Sequence, residues 1–208
     1  MARPTRQRII DEALRLFAER GYSATAVAEI EAASGLSPGA GGLYRHFRSK
    51  EEVLAAAVRE HVERTRLDLQ DGMLTSIAPE AMVLSDRLRL ICRLGLAKLN
   101  EEQYLIRVLF RDLDKFPHLI DELRDGLVGL IYLRLATWMD AQPEYAGAGH
   151  DWEATATVLG GAVVNYWLSA AQFHGPGVDL SEERFIEAWV RMALSLAAHP
   201  APATHTAG

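Results

Sequence analysis

From Ile9 onward apolar residues recur every three or four positions, and no segment keeps the two-residue alternation of a half-buried strand. A period near 3.6 commits the chain to an all-α fold, because only a helix gathers such residues onto one face. Ile9, Ile10, Ala13, Leu14, Leu16 and Phe17 form a first amphipathic stripe, stopped by Gly21. Val27, Ile30 and Ala33 mark a short second helix, stopped by Gly35. A long helix over 49–71 follows, with Val53, Leu54, Ala57, Val58, His61 and Val62 along one side. Further helices are expected at about 79–100, 102–113, 117–141, 151–173 and 181–198. The tail 199–208, rich in Pro, Ala and Thr, is expected to be disordered.

Charge is distributed unevenly along this framework. The chain carries a net −6, yet residues 1–50 hold eight Lys/Arg against five acids, a balance of +3. The remaining fourteen Lys/Arg meet twenty-three acids, a balance of −9. A basic head on an acidic body offers a polyanion one place and repels it elsewhere. Asp11, Glu12 and Glu19 interrupt the first apolar stripe, which therefore does not read as an export signal. The single Cys92 lies in an apolar helical run; it excludes an intramolecular disulfide, suits a reducing compartment and reads as core. Residues 154–173 are uncharged and long enough to cross a bilayer, but they include Thr155, Thr157, Gly160, Gly161, Asn165, Ser169 and Gln172. A helix buried on most sides fits them better, so a cytoplasmic protein with no membrane partner is expected.

Residues 37–47 break the surrounding texture. Ser37-Pro38 reads as a helix start, but Gly39, Gly41 and Gly42 follow at a cost of about 1 kcal/mol each against alanine inside a helix. Leu43-Tyr44-Arg45-His46-Phe47 then precedes a second helix start at Ser49-Lys50-Glu51-Glu52. Three short helices with a glycine-containing turn between the second and third outline a helix-turn-helix unit. In such a unit the third helix enters the DNA major groove, and small residues let its backbone come close. On this reading Tyr44 and His46 hydrogen-bond phosphate oxygens while Leu43 and Phe47 anchor the helix below. Lys50 adds a charge at a helix start that already favours anions. Arg45 and Arg48 either share that role or simply solvate the head.

The stretches RIIDEALRLFAERGYSAT, VAEIEAASGLS and GLYRHFRSKEEVL, in that order, resemble the DNA-binding head of the tetracycline-repressor (TetR) family of bacterial regulators over residues 6–55. The resemblance implies a homodimer whose two heads bind a palindromic operator in double-stranded DNA. It implies a DNA-binding domain at 1–50 and a helical body at 51–198 that holds a small-molecule effector and the dimer interface. By matching positions, Thr25, Ser37, Tyr44, His46 and Lys50 would contact phosphates, and Ser37, Pro38, Gly39, Ala40, Gly41 and Gly42 would face base edges. Three departures stand out. Ala40-Gly41-Gly42 makes the third element about two residues longer than the family's spacing, Ala26 replaces a capping hydroxyl residue, and Glu31 stands where a small residue usually packs.

In the body, Tyr104, Phe110, Phe116, Trp138, Tyr166, Trp167 and Phe173 lie on expected helices, either as plain core or as the lining of an apolar site with few polar groups. Tyr104, Arg107, Phe110, Trp138, Asn165 and Tyr166 are the candidate contacts to a partly apolar effector, with Asp112 as a further polar candidate. Asn165 is a polar outlier that needs a partner if buried. Ser181, Glu182 and Glu183 start the last helix, whose apolar residues cover more than one face. A dimer interface is therefore expected at Phe185, Trp189, Met192 and Leu196, with Gly160 and Gly161 allowing close approach; a thick monomer core is the alternative. The histidines show no metal-ligand spacing, no glycine-rich phosphate loop follows a strand, and no nucleophile–base set stands out. The expectation is a non-enzymatic regulator without metal or cofactor, a repressor released from DNA by its effector. The alternative is an all-helical small-molecule carrier with a degenerate head.

Overall fold

The computed structural model describes residues 4–70, 82–112, 115–173, 175 and 178–197, with the side chains of all but residues 125, 172 and 173 among these. The expected tail 199–208 and the expected helix start at Pro79 lie outside the described residues. The chain is all-helical: α1 (Thr5–Arg20), α2 (Val27–Ala33), α3 (Lys50–Gln70), α4 (Leu84–Glu101), α5 (Gln103–Asp112), α6 (Pro117–Leu123), α7 (Gly129–Asp140), α8 (Trp152–Phe173) and α9 (Glu182–Leu194). No strand occurs among the described residues. No helix of the described residues is long and apolar enough to cross a membrane.

Local chemistry sets the helix ends. Gly35 takes a φ of +73°, and the Leu36 N–H reaches back to the Glu31 carbonyl at 2.8 Å, which closes α2 with its last carbonyls satisfied. Ser49 Oγ accepts from the Glu52 N–H at 3.1 Å and starts α3. Asp151 Oδ1 accepts from the Ala154 N–H at 3.0 Å and starts α8, and Ser181 Oγ accepts from the Arg184 N–H at 3.3 Å ahead of α9. Ala26 has no hydroxyl to cap α2, but the Glu29 carboxylate accepts from the Ala26 N–H at 2.9 Å and recovers half of a capping box. The single helix expected at 117–141 is broken by a π-helical turn, Arg124–Val128. Gly126 sits in that turn, where a Cβ would lie 3.1 Å from Val62 of α3, so the irregularity coincides with a close approach.

The chain forms two compact units, one of Met1–Asp71 with Leu99–Leu130, the other of Gly72–Lys98 with Ile131–Gly208. In the first, Ile9, Ile10, Ala13, Leu16 and Phe17 of α1 pack with Ile30, Leu43, Phe47, Val53, Leu54 and Val58, and Leu105, Val108 and Leu119 join the same core. The stripe that periodicity picks out in α1 is thus the buried one. In the second unit Trp189 Nε1 donates to the Leu159 carbonyl at 2.8 Å, joining α9 to α8. Tyr145 donates to the Ala193 carbonyl at 2.9 Å. Arg87 is fully buried there and bonds to Gln142 and Glu144, which supply the partners a buried cation requires. Cys92 is buried as expected, and burial pushes its thiol up to about 12, so it remains an unreactive thiol near neutrality.

Candidate nucleic-acid interface

Leu43 and Phe47 are buried in the first unit's core, and between them a single 3-10 turn, Leu43–Arg45, carries the chain outward. The His46 and Phe47 N–H groups both donate to the Leu43 carbonyl, at 2.9 and 3.0 Å. This spacing leaves Tyr44, Arg45 and His46 on the outside, with Tyr44 57% exposed. Two apolar anchors four residues apart therefore present three hydrogen-bonding side chains to solvent.

The residues before this turn are not helical, which corrects the expected third helix. Gly39 and Gly41 each take a φ of +73°, in the left-handed region that glycine enters without strain. A turn closed by the Ala40 N–H on the Ser37 carbonyl, at 3.2 Å, replaces the first helical turn. The glycines are thus required by backbone conformation rather than tolerated within a helix. Ser37, Pro38, Gly39 and Ala40 are exposed, and Gly41 and Gly42 half-buried. Glu31 supplies the tie that holds this path. Its carboxylate is 1% exposed; Oε2 accepts from the Gly39 N–H at 2.7 Å and Oε1 from the Leu43 N–H at 3.0 Å.

Two residues expected at phosphates have hydrogen-bond partners within the unit. Thr25 is buried, and its hydroxyl donates to the Gly21 carbonyl at 2.9 Å and weakly to that of Leu16 at 3.3 Å. A buried hydroxyl is more stable on protein carbonyls than unpaired, so its side chain is withdrawn from the surface. The Lys50 ammonium donates to the carbonyls of Tyr22 and Thr25, at 2.6 and 2.8 Å, and lies over the Tyr22 ring at 4.3 Å. Burial pulls it below its usual range, while the Asp112 charge works the other way. Asp112 itself accepts from the Tyr22 N–H at 3.0 Å and pairs with Lys115. Burial pushes its carboxyl up, but Lys115, the Tyr22 N–H and Arg111 together leave it below its ordinary value. The α1–α2 corner is thereby clamped from both sides.

The head's other cations are largely neutralised within the unit. Arg6 pairs with Glu60, Arg15 with Glu12 and Glu19, and Arg20 with Glu29. Arg45 and Arg48 are exposed and carry no side-chain ion pair among the described residues. Sequence reasoning left Arg48 between phosphate contact and plain solvation, because a cation count cannot show which charges are already paired. It also treated Glu31 only as a departure in packing; its acidic side chain facing a glycine-rich segment was the available signal.

The candidate effector contacts divide between the two units. In the first, Phe110 is 63% exposed, Tyr104 is exposed too, and Arg107 is half-buried with its Nε unpartnered among the described residues. In the second, Trp138 is buried with an indole N–H that has no partner among the described residues, Asn165 is exposed, and Tyr166 stacks on Phe185 at 4.2 Å. Asn165 therefore has water available and is not the buried amide that would demand a partner. The expected interface residues also separate. Trp189 is only 3% exposed and packs in the α8–α9 core. Gly160 serves Tyr132, whose ring would stand 2.6 Å from a Cβ there, whereas Gly161 faces open space. Met192 is 61% exposed, and Leu196 and Phe185 are half-buried.

Residues 9–57 match the family model described as bacterial regulatory proteins, tetR family. A curated relative, the HTH-type transcriptional repressor Rv1474c of Mycobacterium tuberculosis, is 44% identical over 59 residues, which is 28% of this chain and 30% of that protein. The match with three such relatives spans between 19% and 30% of their length. The crystal structure of a TetR-family transcriptional regulator from Mesorhizobium loti superposes with a TM-score of 0.69 at 22% identity, over 92% of this chain and 96% of that one. Salmonella enterica GusR superposes with a TM-score of 0.65 at 26% identity, over 93% of this chain and 95% of that one.

Proposed function

We infer, on the premise that this chain belongs to the tetR family of bacterial regulatory proteins, that it is a transcriptional repressor. It binds a palindromic operator as a homodimer and leaves it when a small, partly apolar molecule binds the body. Residues 1–50 act as the DNA-binding domain and 51–198 as the ligand-binding and dimerisation domain. The observation that carries this reading is the outward display of Tyr44, Arg45 and His46 between the buried anchors Leu43 and Phe47. A phenol, a guanidinium and an imidazole on one short turn suit phosphate oxygens, with Ser37–Gly42 beside them for base edges. Arg45 and Arg48, exposed and without side-chain ion pairs among the described residues, would supply the counter-charge.

The body supports the rest of the reading. Met192 and Val158 are each more than half exposed in the second unit, and Gly161 opens onto free space. Exposed apolar side chains of this kind suit a second copy of the chain, with Phe185 and Leu196 at its margin. In the second unit the indole N–H of Trp138, without a partner among the described residues, is a buried donor that an effector's acceptor would satisfy. Selection of bound duplexes from a random pool, repeated with cell extract, tests both halves. Enrichment of an inverted repeat and its release by a component of the extract are expected; no enrichment would remove the DNA-binding reading.

One observation favours a second reading. The segment at 37–42 is not a regular helix, as a carrier protein with a degenerate head would tolerate. Absence of any salt-dependent shift with genomic DNA would favour that carrier.

A further inference from the structure

We propose that Glu31 is the positioning residue for sequence recognition: its buried carboxylate holds residues 39–43 in a preformed, non-helical path, and that path reads the base edges. The proposal rests on the DNA-binding reading above and specifies how the same site obtains its specificity.

The two hydrogen bonds made by Glu31 bracket the segment. One goes to Gly39 N–H and the other to Leu43 N–H, so both ends of the stretch that contains Ala40, Gly41 and Gly42 are tied to one side chain of α2. A regular helix is incompatible with this arrangement. In a helix the Leu43 N–H would donate to the Gly39 carbonyl, yet here it is given to Glu31. The left-handed φ of Gly39 and Gly41 is the backbone consequence.

Electrostatics makes the placement informative. A carboxylate close to DNA repels phosphate, so an acid beneath a DNA-facing surface weakens binding unless its geometry contributes something else. Glu31 is 1% exposed, and each of its oxygens has a charge-assisted partner in the recognition segment itself. Its own carbonyl accepts from Leu36, and Leu36 packs where a Cβ on Gly42 would stand at 3.3 Å. Residue 31 thus grips the segment through main chain and side chain together.

Glu31→Gln keeps the length of the side chain but replaces one accepting oxygen by an NH2 group that must face an N–H. The test compares this variant with the parental full chain on the operator recovered by selection, on single-base variants of it, and on random duplex. Affinity for random duplex and the salt slope are expected to stay within about twofold, since phosphate contacts are untouched. Preference for the operator over its single-base variants is expected to fall about tenfold or more. Retained preference would overturn the proposal. A parallel loss on operator and random duplex would also overturn it, by making Glu31 a general prop of the head.

A second measurement needs no variant. Carbon chemical shifts of 39–43 and amide exchange at Gly39 and Leu43 in the parental protein are expected to stay non-helical and protected when operator is added. Helical shifts on the operator would contradict a preformed path. If the parental chain selects no DNA at all, the DNA-binding reading falls first, before any variant is compared.

Discussion

Oε1 of Glu31 accepts the backbone N–H of Leu43 at 3.0 Å, which fixes an acidic side chain of α2 to the residue that anchors the exposed Tyr44 turn. Leu43 is fully buried, so its N–H has no water to turn to if the carboxylate is removed. Glu31→Ala is therefore expected to destabilise the first unit by about 1–3 kcal/mol, the cost of an orphaned buried donor. Urea unfolding followed by circular dichroism measures it. A change below about 0.5 kcal/mol, the range of ordinary surface substitutions, would mean that the bond is not stabilising.

Alanine at Gly39 or Gly41 is expected to destabilise, although alanine is the stronger helix former. Both positions have a φ of +73°, where an L side chain costs about 1–2 kcal/mol. No atom lies within 4 Å of a Cβ at Gly39, so the penalty there is purely torsional. Thermal unfolding of Gly39→Ala should show the loss, and D-alanine introduced by semisynthesis at the same position should show none. Stabilisation by L-alanine would mean that the segment is helical in solution.

Exposed and buried residues of α9 should respond differently to charge. Met192→Glu adds a carboxylate to an exposed position and is expected to leave the protomer folded while weakening the dimer. Trp189→Glu places one in the α8–α9 core and removes the bond to the Leu159 carbonyl, so loss of folding is expected instead. Light scattering with circular dichroism separates the two outcomes. A Met192→Glu protein that remained fully dimeric would put the interface elsewhere.

The free cations of the head should set the salt dependence. Arg45→Ala and Arg48→Ala are each expected to reduce the slope of log affinity against log salt by about one and to weaken binding to all sequences alike. Lys50→Ala should instead destabilise the fold, because its ammonium already serves the Tyr22 and Thr25 carbonyls. Fluorescence anisotropy at several salt concentrations checks both. A slope changed by Lys50→Ala and unaffected by Arg45→Ala would reverse the assignment.

What the sequence revealed follows from how local each signal is. The α1 stripe, the glycine ends of α1 and α2 and the Ser49 start of α3 are encoded within a few residues, and each stands close to where it was read. Leu43 and Phe47 as anchors with Tyr44 and His46 outward were legible for the same reason. The path of 37–42 was not, because propensity assigns glycine a helical cost and says nothing of a distant carboxylate that makes left-handed geometry favourable. Thr25, Lys50 and Trp189 share one ambiguity. Hydroxyl, ammonium and indole groups suit a partner's surface and a neighbouring carbonyl equally well, and only tertiary packing decides between them.

Two heads reading two half-sites together are the core of operator recognition by a dimer. The decisive measurement is the affinity of the full chain for a selected inverted repeat, against the same duplex with one half-site scrambled. Half-site centres one DNA turn apart, about 34–36 Å, or a small multiple of that distance, are expected. With two linked heads the intact repeat should bind about 100-fold or more tightly than the half-scrambled duplex. Equal affinity for intact, half-scrambled and fully scrambled duplexes would contradict the account.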